Sequence, residues 1–272
     1  MPATTCERSQ VAKLLRFKKL LVSSFRLFRI SLAESIGVGI ISFMIILSEP
    51  NVNIPTHAAI IGAAFAVAVW ITGPISGGHV NPIVSLAFVI TRRISVLAFV
   101  AYVCAQVIGA IVGSIIAWAL MVKHTSNLGV TRRIPGLSQS KCIGLEILGS
   151  FVLVMSVLST ADEFRTVPRT QGHVTTFPIV FGITMALLIS VLAPYTGAGM
   201  NPAVTIGTSV ISRQFNEIWI YIVGPFVGSV LAALIYEVLL TNAASIARLK
   251  AWCTERNFDR SRDYCVVNLD DG

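Results

Sequence analysis

The sequence predicts an all-α membrane fold of six transmembrane helices plus two re-entrant half-helices, arranged as two inverted repeats. Three observations carry that prediction. The chain of 272 residues is 54% hydrophobic and only 12% charged, whereas a soluble domain carries roughly 25% charged residues. Its apolar residues fall in six runs of membrane-spanning length. One pattern, P-x-[ST]-G-x-x-x-N-P-x-V-[ST], occurs twice, at Pro74–Ser85 and at Pro194–Thr205.

A spanning helix needs about 20 mostly apolar residues. The runs lie at 30–48, 57–73, 96–121, 141–160, 176–193 and 217–240. Two shorter apolar pieces, 81–91 and 201–212, each begin at an Asn-Pro. At 1.5 Å per residue, about ten residues reach roughly 15 Å, half of a hydrocarbon core of about 30 Å. Neither piece crosses alone, but two entering from opposite faces meet near the middle. Asn is a good N-cap, and Pro suits the first helical position, where its missing N–H costs nothing. The pair therefore marks a helix start in both copies. The glycines before it, Gly77, Gly78, Gly197 and Gly199, permit a tight extended lead-in over 76–80 and 196–200.

Orientation follows from the basic residues. With both termini inside, 16 of the 21 Lys and Arg face the cytoplasm and 5 lie outside, as the positive-inside rule requires. The halves also repeat. "ESIG" at Glu34–Gly37 is matched by "EILG" at Glu146–Gly149. "YVCAQVIGAIVGS" from Tyr102 is matched less closely by "YIVGPFVGSVLAA" from Tyr221, which sets Gln106 and Gly109 opposite Pro225 and Gly228. Each half holds three spans, an odd number, so the repeats are inverted about an axis in the membrane plane.

The organisation expected is a basic cytoplasmic segment (1–29), a membrane domain (30–240, with repeats at 30–121 and 141–240) and a cytoplasmic tail (241–272). The first span is expected to serve as the insertion signal in place of a cleaved leader. Lys13–Arg29 alternates Leu and Phe with Lys and Arg. That suits an amphipathic helix on the anionic inner leaflet or a solvated positive flank. Residues 248–272 mix charge signs and read as disordered. Arg92-Arg93-Ile94-Ser95 resembles a basophilic kinase site.

The net charge of +8 does not point to nucleic acid, because the basic residues sit at the ends and in loops instead of on one folded face. Five cysteines show no metal or disulfide spacing, so neither metal nor cofactor is expected. Opposed half-helices on a two-fold axis bring Asn81 and Asn201 side by side at the midplane. Their amides then offer donors to a shared lumen, and carbonyls of the two lead-in segments offer acceptors. Such a pore suits water. Each helix N-terminus carries about +0.5 charge, and two of them at about 5 Å oppose a cation by roughly 3 kcal/mol at an effective dielectric near 20. Dehydration adds at least several kcal/mol more, and neither box contains a carboxylate. Glu34 and Glu146 lie within spans and are functional candidates by default. Their duplication points to holding the N–H groups of the lead-in segments. Gly109/Gly113 and Gly224/Gly228 read as close-packing pairs.

Over about residues 30–240 the chain resembles the major intrinsic protein family, the aquaporins. The paired Asn-Pro boxes with E-x-x-G, Q-x-x-G and P-x-x-G carry the resemblance. It implies a passive plasma-membrane channel, one pore per subunit in a homotetramer, with no catalytic residue. It places Asn81-Pro82-Ile83 and Asn201-Pro202-Ala203 at the midplane, His79 at the inner mouth, and a selectivity filter on Ile61, Ile189, Ala198 and Val204.

Two departures stand out. Ile83 replaces the usual Ala of the Asn-Pro-Ala box. The filter is wholly apolar, where water-selective members carry an aromatic, a His and an Arg, and glycerol-conducting members keep the Arg. A wider filter is expected, passing glycerol, urea or hydrogen peroxide beside water, with a weaker outer barrier to cations. Alternatively, loop 122–140 folds in and supplies a donor from Arg132 or Arg133. Thr205, where glycerol-conducting members usually have Asp, leans towards the water-channel branch. Ile222 does not carry the Trp common there. Two other classes remain open. One is a secondary transporter, which needs ion-binding carboxylates. The other is an adhesion or signalling protein with poor water flux or a cation leak.

Overall fold

The computed structural model describes residues 5–48, 52–121, 128–163, 173–262 and 264, with side chains from 23 onward in the first helix and from 176 in the sixth. The side chains of the basic segment before 23, Lys123, Arg165, Arg169 and the tail beyond 264 lie outside the described residues. The helices are α1 (Thr5–Ser48), α2 (Ile54–Ser76), α3 (Pro82–Ile90), α4 (Val96–Leu120), α5 (Gln139–Thr160), α6 (His173–Thr196), α7 (Pro202–Ser212), α8 (Ile220–Ile235) and α9 (Ile246–Thr254). Segments of α1, α2, α4, α5, α6 and α8 with its continuation, 21 to 26 residues each, are long and apolar enough to cross a membrane. The two Asn-Pro pieces form the short α3 and α7.

Helix ends follow local chemistry. Asn53, Ser95 and Ser138 cap α2, α4 and α5, accepting from the N–H of Thr56, Ala98 and Lys141. α2 and α6 run through Pro74 and Pro194 and stop two residues later, so each proline sits in a last turn, where little helix remains to be kinked. The final span opens later than its apolar run predicts, at Ile220, and passes into a π turn over Tyr236–Leu240.

The packing has the predicted symmetry. α1 packs on α4 and α5 on α8; α1 meets α2 and α5 meets α6; α7 lies on α4 and α3 on α8. Exchanging α1–α4 for α5–α8 maps this set onto itself, with α2·α6 and α3·α7 crossing the axis. The α2–α6 crossing is a close backbone approach. A Cβ at Gly62 would stand 2.5 Å from the Gly182 carbonyl oxygen, and one at Gly182 2.5 Å from that of Gly62. Only glycine fits such a backbone-to-backbone approach.

The tail departs from expectation. Instead of being disordered from residue 248, the chain forms α9 and stays anchored to Arg262. Arg248 and Glu237 pair at 3.1 Å with both side chains 2% exposed. Arg260 reaches Glu237, Glu163 and the Thr91 carbonyl. Arg92 donates to the carbonyls of Trp252 and Arg256, both at 2.8 Å, and Phe258 lies under the guanidinium groups of Arg92 and Arg248. Mixed charge suggested solvation because the carboxylate partners stand far away in sequence, on the π turn and at the end of α5. Arg248→Met takes one of two guanidinium partners from Glu237, which keeps Arg260 at 2.8 Å. It is therefore expected to lower stability by about 1–3 kcal/mol, seen as earlier thermal unfolding in detergent.

Candidate functional site

The two half-helices meet tip to tip. Asn81 caps α3 by accepting from the Ile83 N–H at 3.1 Å, and Asn201 caps α7 by accepting from Ala203 and Val204. Each amide also crosses the axis. Asn81 Nδ2 donates to the Met200 carbonyl at 3.0 Å, and Asn201 Nδ2 donates to the Val80 carbonyl at 2.8 Å. An amide NH2 has two protons, so one N–H of each asparagine is left over at this junction. Pro82 and Pro202 occupy the first helical position behind each cap.

Two carboxylates hold the lead-in segments, with unequal completeness. Glu34 is fully buried. Its Oε1 accepts from Ser76 Oγ and the His79 N–H, and its Oε2 accepts from the Val80 N–H and Gln106 Nε2, both at 2.7 Å. Glu146 Oε1 accepts from the Gly199 N–H at 3.0 Å, while its Oε2 has no partner among the described residues. Pro225 stands in the second repeat where the first has Gln106, so the fourth donor is lost there. Neither box contains a carboxylate in sequence, yet the fold brings one to each; their bound oxygens face backbone and side-chain donors.

The lead-in backbones bend back sharply. Gly77, Gly78 and Gly197 have positive φ, and so does Ala198 at 55°, in the position equivalent to Gly78. Val80 also sits at φ 43°, a strained conformation for a β-branched residue. The fourth lead-in glycine, Gly199, is not among the residues of positive φ; its need is space, since a Cβ there would stand 2.5 Å from the Tyr221 ring. Two further anchors gave no sequence signal. Tyr102 Oη donates to the Ser76 carbonyl at 2.5 Å, and Ser229 Oγ donates to the Ile83 carbonyl at 2.6 Å.

A cavity of about 340 Å³ leads down to Asn201. Ile61, Ile189, Ala198 and Val204 all line it, beside Thr205, His57 and the loop residues Thr131 and Arg132. Asn81, Ile83 and His79 lie beyond its floor and are buried. His79 packs between the rings of Phe88 and Tyr102 at 4.4 and 4.7 Å, with Nδ1 3.1 Å from Ser85 Oγ. Among the described residues no cluster of side chains is fit to hold a metal.

The loop over the cavity is pinned on both sides. Ile134 N–H donates to the Tyr195 carbonyl at 2.9 Å. Arg133 grips Glu217 with two nitrogens, at 3.0 and 2.7 Å, and also donates to the Leu137 carbonyl. Hydrogen bonds from Arg133 and Gln139 hold the Glu217 carboxyl down at about 2. A depressed carboxyl contributes stability above its unfolded value, about 4.3, and loses it as pH falls through the folded one. The thermal stability gap between wild type and Glu217→Gln is thus expected to be full above pH 4.3 and to close towards about pH 2.

The Glu34 and Glu146 contacts predict opposite tolerance to amide replacement. Glu34→Gln turns an NH2 towards donors and is expected to cost about 1–3 kcal/mol. Glu146→Gln keeps an oxygen for Gly199 and turns its NH2 to the vacant side, so its melting temperature in detergent should stay near that of wild type.

Comparison with known proteins agrees with this architecture. The family model described as major intrinsic protein matches residues 21–236. Aquaporin-1 of Ovis aries is 38% identical over 194 residues, 70% of this chain and 70% of that one. Aquaporin-1 of Homo sapiens is 37% identical over the same length and shares. The X-ray structure of the aquaglyceroporin from Plasmodium falciparum superposes with a TM-score of 0.71 at 20% identity, covering 79% of this chain and 97% of that one. With a duplicated half-helix fold and these relatives, the chain is an integral multi-pass membrane protein that belongs to the major intrinsic protein family, in the aquaporin and aquaglyceroporin class of channels.

Proposed function

We propose that the protein is a passive plasma-membrane channel for water that also passes small neutral solutes, works as a homotetramer and keeps both termini in the cytoplasm. The observation that supports this most is the leftover amide N–H of Asn81 and Asn201 at the junction of two helix N-termini. A molecule in single file accepts a hydrogen bond there and donates to carbonyls of the lead-in segments. Two positive helix ends and the cost of dehydration oppose ions. Pro82, Pro202 and Ala203 fix the helix tips.

Ile61, Ile189, Ala198 and Val204 set size and polarity at the outer end. They make no hydrogen bond to a passing solute, so selection there acts by shape and dehydration. This favours glycerol, urea or hydrogen peroxide as secondary permeants. His79, held between two rings, braces the inner lead-in segment. Nothing is chemically transformed, and neither metal nor cofactor is needed.

A second reading, low water flux with a role in adhesion or signalling, draws support from one feature. Ile83 puts a branched side chain at the narrow junction, where Asn81 and Ile83 are fully buried. Stopped-flow shrinkage of proteoliposomes separates the two. The channel reading expects water permeability well above that of empty liposomes, raised severalfold further by Ile83→Ala, with measurable glycerol, urea or peroxide flux. Water flux at the background rate in both wild type and Ile83→Ala contradicts it.

A further inference from the structure

We propose that Arg132, in the loop between α4 and α5, is the fixed charge that keeps cations out of the outer cavity; this deepens the channel reading above and rests on it. The four side chains at the cavity's constriction are apolar, and no carboxylate lines its wall. Arg132 is the arginine among the residues that line it, and it is exposed. It makes no ion pair among the described residues, unlike its neighbour Arg133, which Glu217 neutralises.

Its place is fixed by the backbone. Leu128 is buried against Ile46 and Ala117. Thr131 Oγ1 stands 3.5 Å from Thr205 Oγ1. The Arg132 amide lies 3.0 Å from where a Gly197 Cβ would be, so glycine at 197 lets the loop settle on the lead-in segment. The Ile134 bond to Tyr195 and the Arg133 grip on Glu217 close the far side. The backbone therefore sets Arg132, whose guanidinium pairs with no described carboxylate, at the rim of an apolar funnel whose floor is a helix N-terminus. Apolar walls of low dielectric focus its field along the cavity. A cation meets one positive charge at the mouth and another at the floor, whereas a neutral solute meets neither.

Two readouts test this in the full-length protein. The first is Na⁺ and K⁺ flux beside water flux in proteoliposomes. Arg132→Gln is expected to raise cation flux about tenfold, and Arg132→Glu further, with water flux kept. Arg132→Lys and Arg213→Gln, whose arginine is not on the cavity wall, should match wild type. Unchanged cation exclusion in Arg132→Gln and Arg132→Glu with normal water flux overturns the proposal and leaves the channel reading standing.

The second readout needs no conduction. Ile54→Cys, on the cavity wall, is placed in a protein with Cys6, Cys104, Cys253 and Cys265 replaced by serine. It is treated with sulfonate-bearing and trimethylammonium-bearing methanethiosulfonates. The anionic reagent should be favoured, the preference should fall about tenfold in Arg132→Gln, invert in Arg132→Glu, and fade in 1 M salt, where the Debye length is about 3 Å. Equal rates for both reagents in the presence of Arg132 overturn the proposal, even for a protein that passes no water.

Discussion

Everything in this molecule rests on how two short stretches of backbone satisfy themselves at membrane depth. A half-helix leaves its first N–H groups without partners, and the extended chain before it has none of the ladder bonds of a helix. In hydrocarbon each such group is costly unless protein or a water-filled cavity serves it. The fold answers by making the two defects serve each other. The asparagine that caps one half-helix reaches the carbonyl before the other asparagine, and the exchange is reciprocal. Glu34 and Glu146 then take up N–H groups of the lead-in segments from behind. Each of these amides keeps a second N–H beyond the bond it makes across the junction.

The two repeats are alike in backbone and unlike in chemistry. Glu34 has four donors around it, whereas Glu146 accepts from the Gly199 N–H and the Thr196 hydroxyl, and Pro225 offers nothing where the first repeat has Gln106. The half on the α7 side opens as an apolar cavity whose polarity comes from the loop and the backbone. In the other half His79 is locked between aromatic rings, and Ile83 is fully buried beside the junction.

Much of this was legible in the sequence because its signals are local. Half-helix length, the Asn-Pro caps and the duplicated glutamates follow from the spacing of Asn81, Asn201, Glu34 and Glu146, and each of these occupies a junction or support position in the structure. The four apolar residues Ile61, Ile189, Ala198 and Val204 share one cavity wall. Illegible were contacts between residues distant in the chain. Tyr102 on Ser76, Ser229 on Ile83 and the Gly62–Gly182 crossing lack any local pattern. Ala198 adopts a left-handed backbone where composition argues against it. The tail misled for the same reason: Arg248 and Arg260 look solvated until Glu237 and Glu163 arrive from elsewhere. Loop 128–137 follows suit, since only folding sets Arg132 on the cavity wall and gives Arg133 its carboxylate.

The most direct test of the junction is solid-state NMR in lipid bilayers, on protein carrying ¹³C-carbonyl methionine and ¹⁵N in the asparagine side-chain amides. The account predicts a dipolar coupling between the Met200 carbonyl and the Asn81 amide nitrogen, fitting a hydrogen bond of 3.0 Å, that disappears in Asn81→Asp. Identical dephasing in wild type and Asn81→Asp would mean that the two tips do not touch, and would contradict the account at its root.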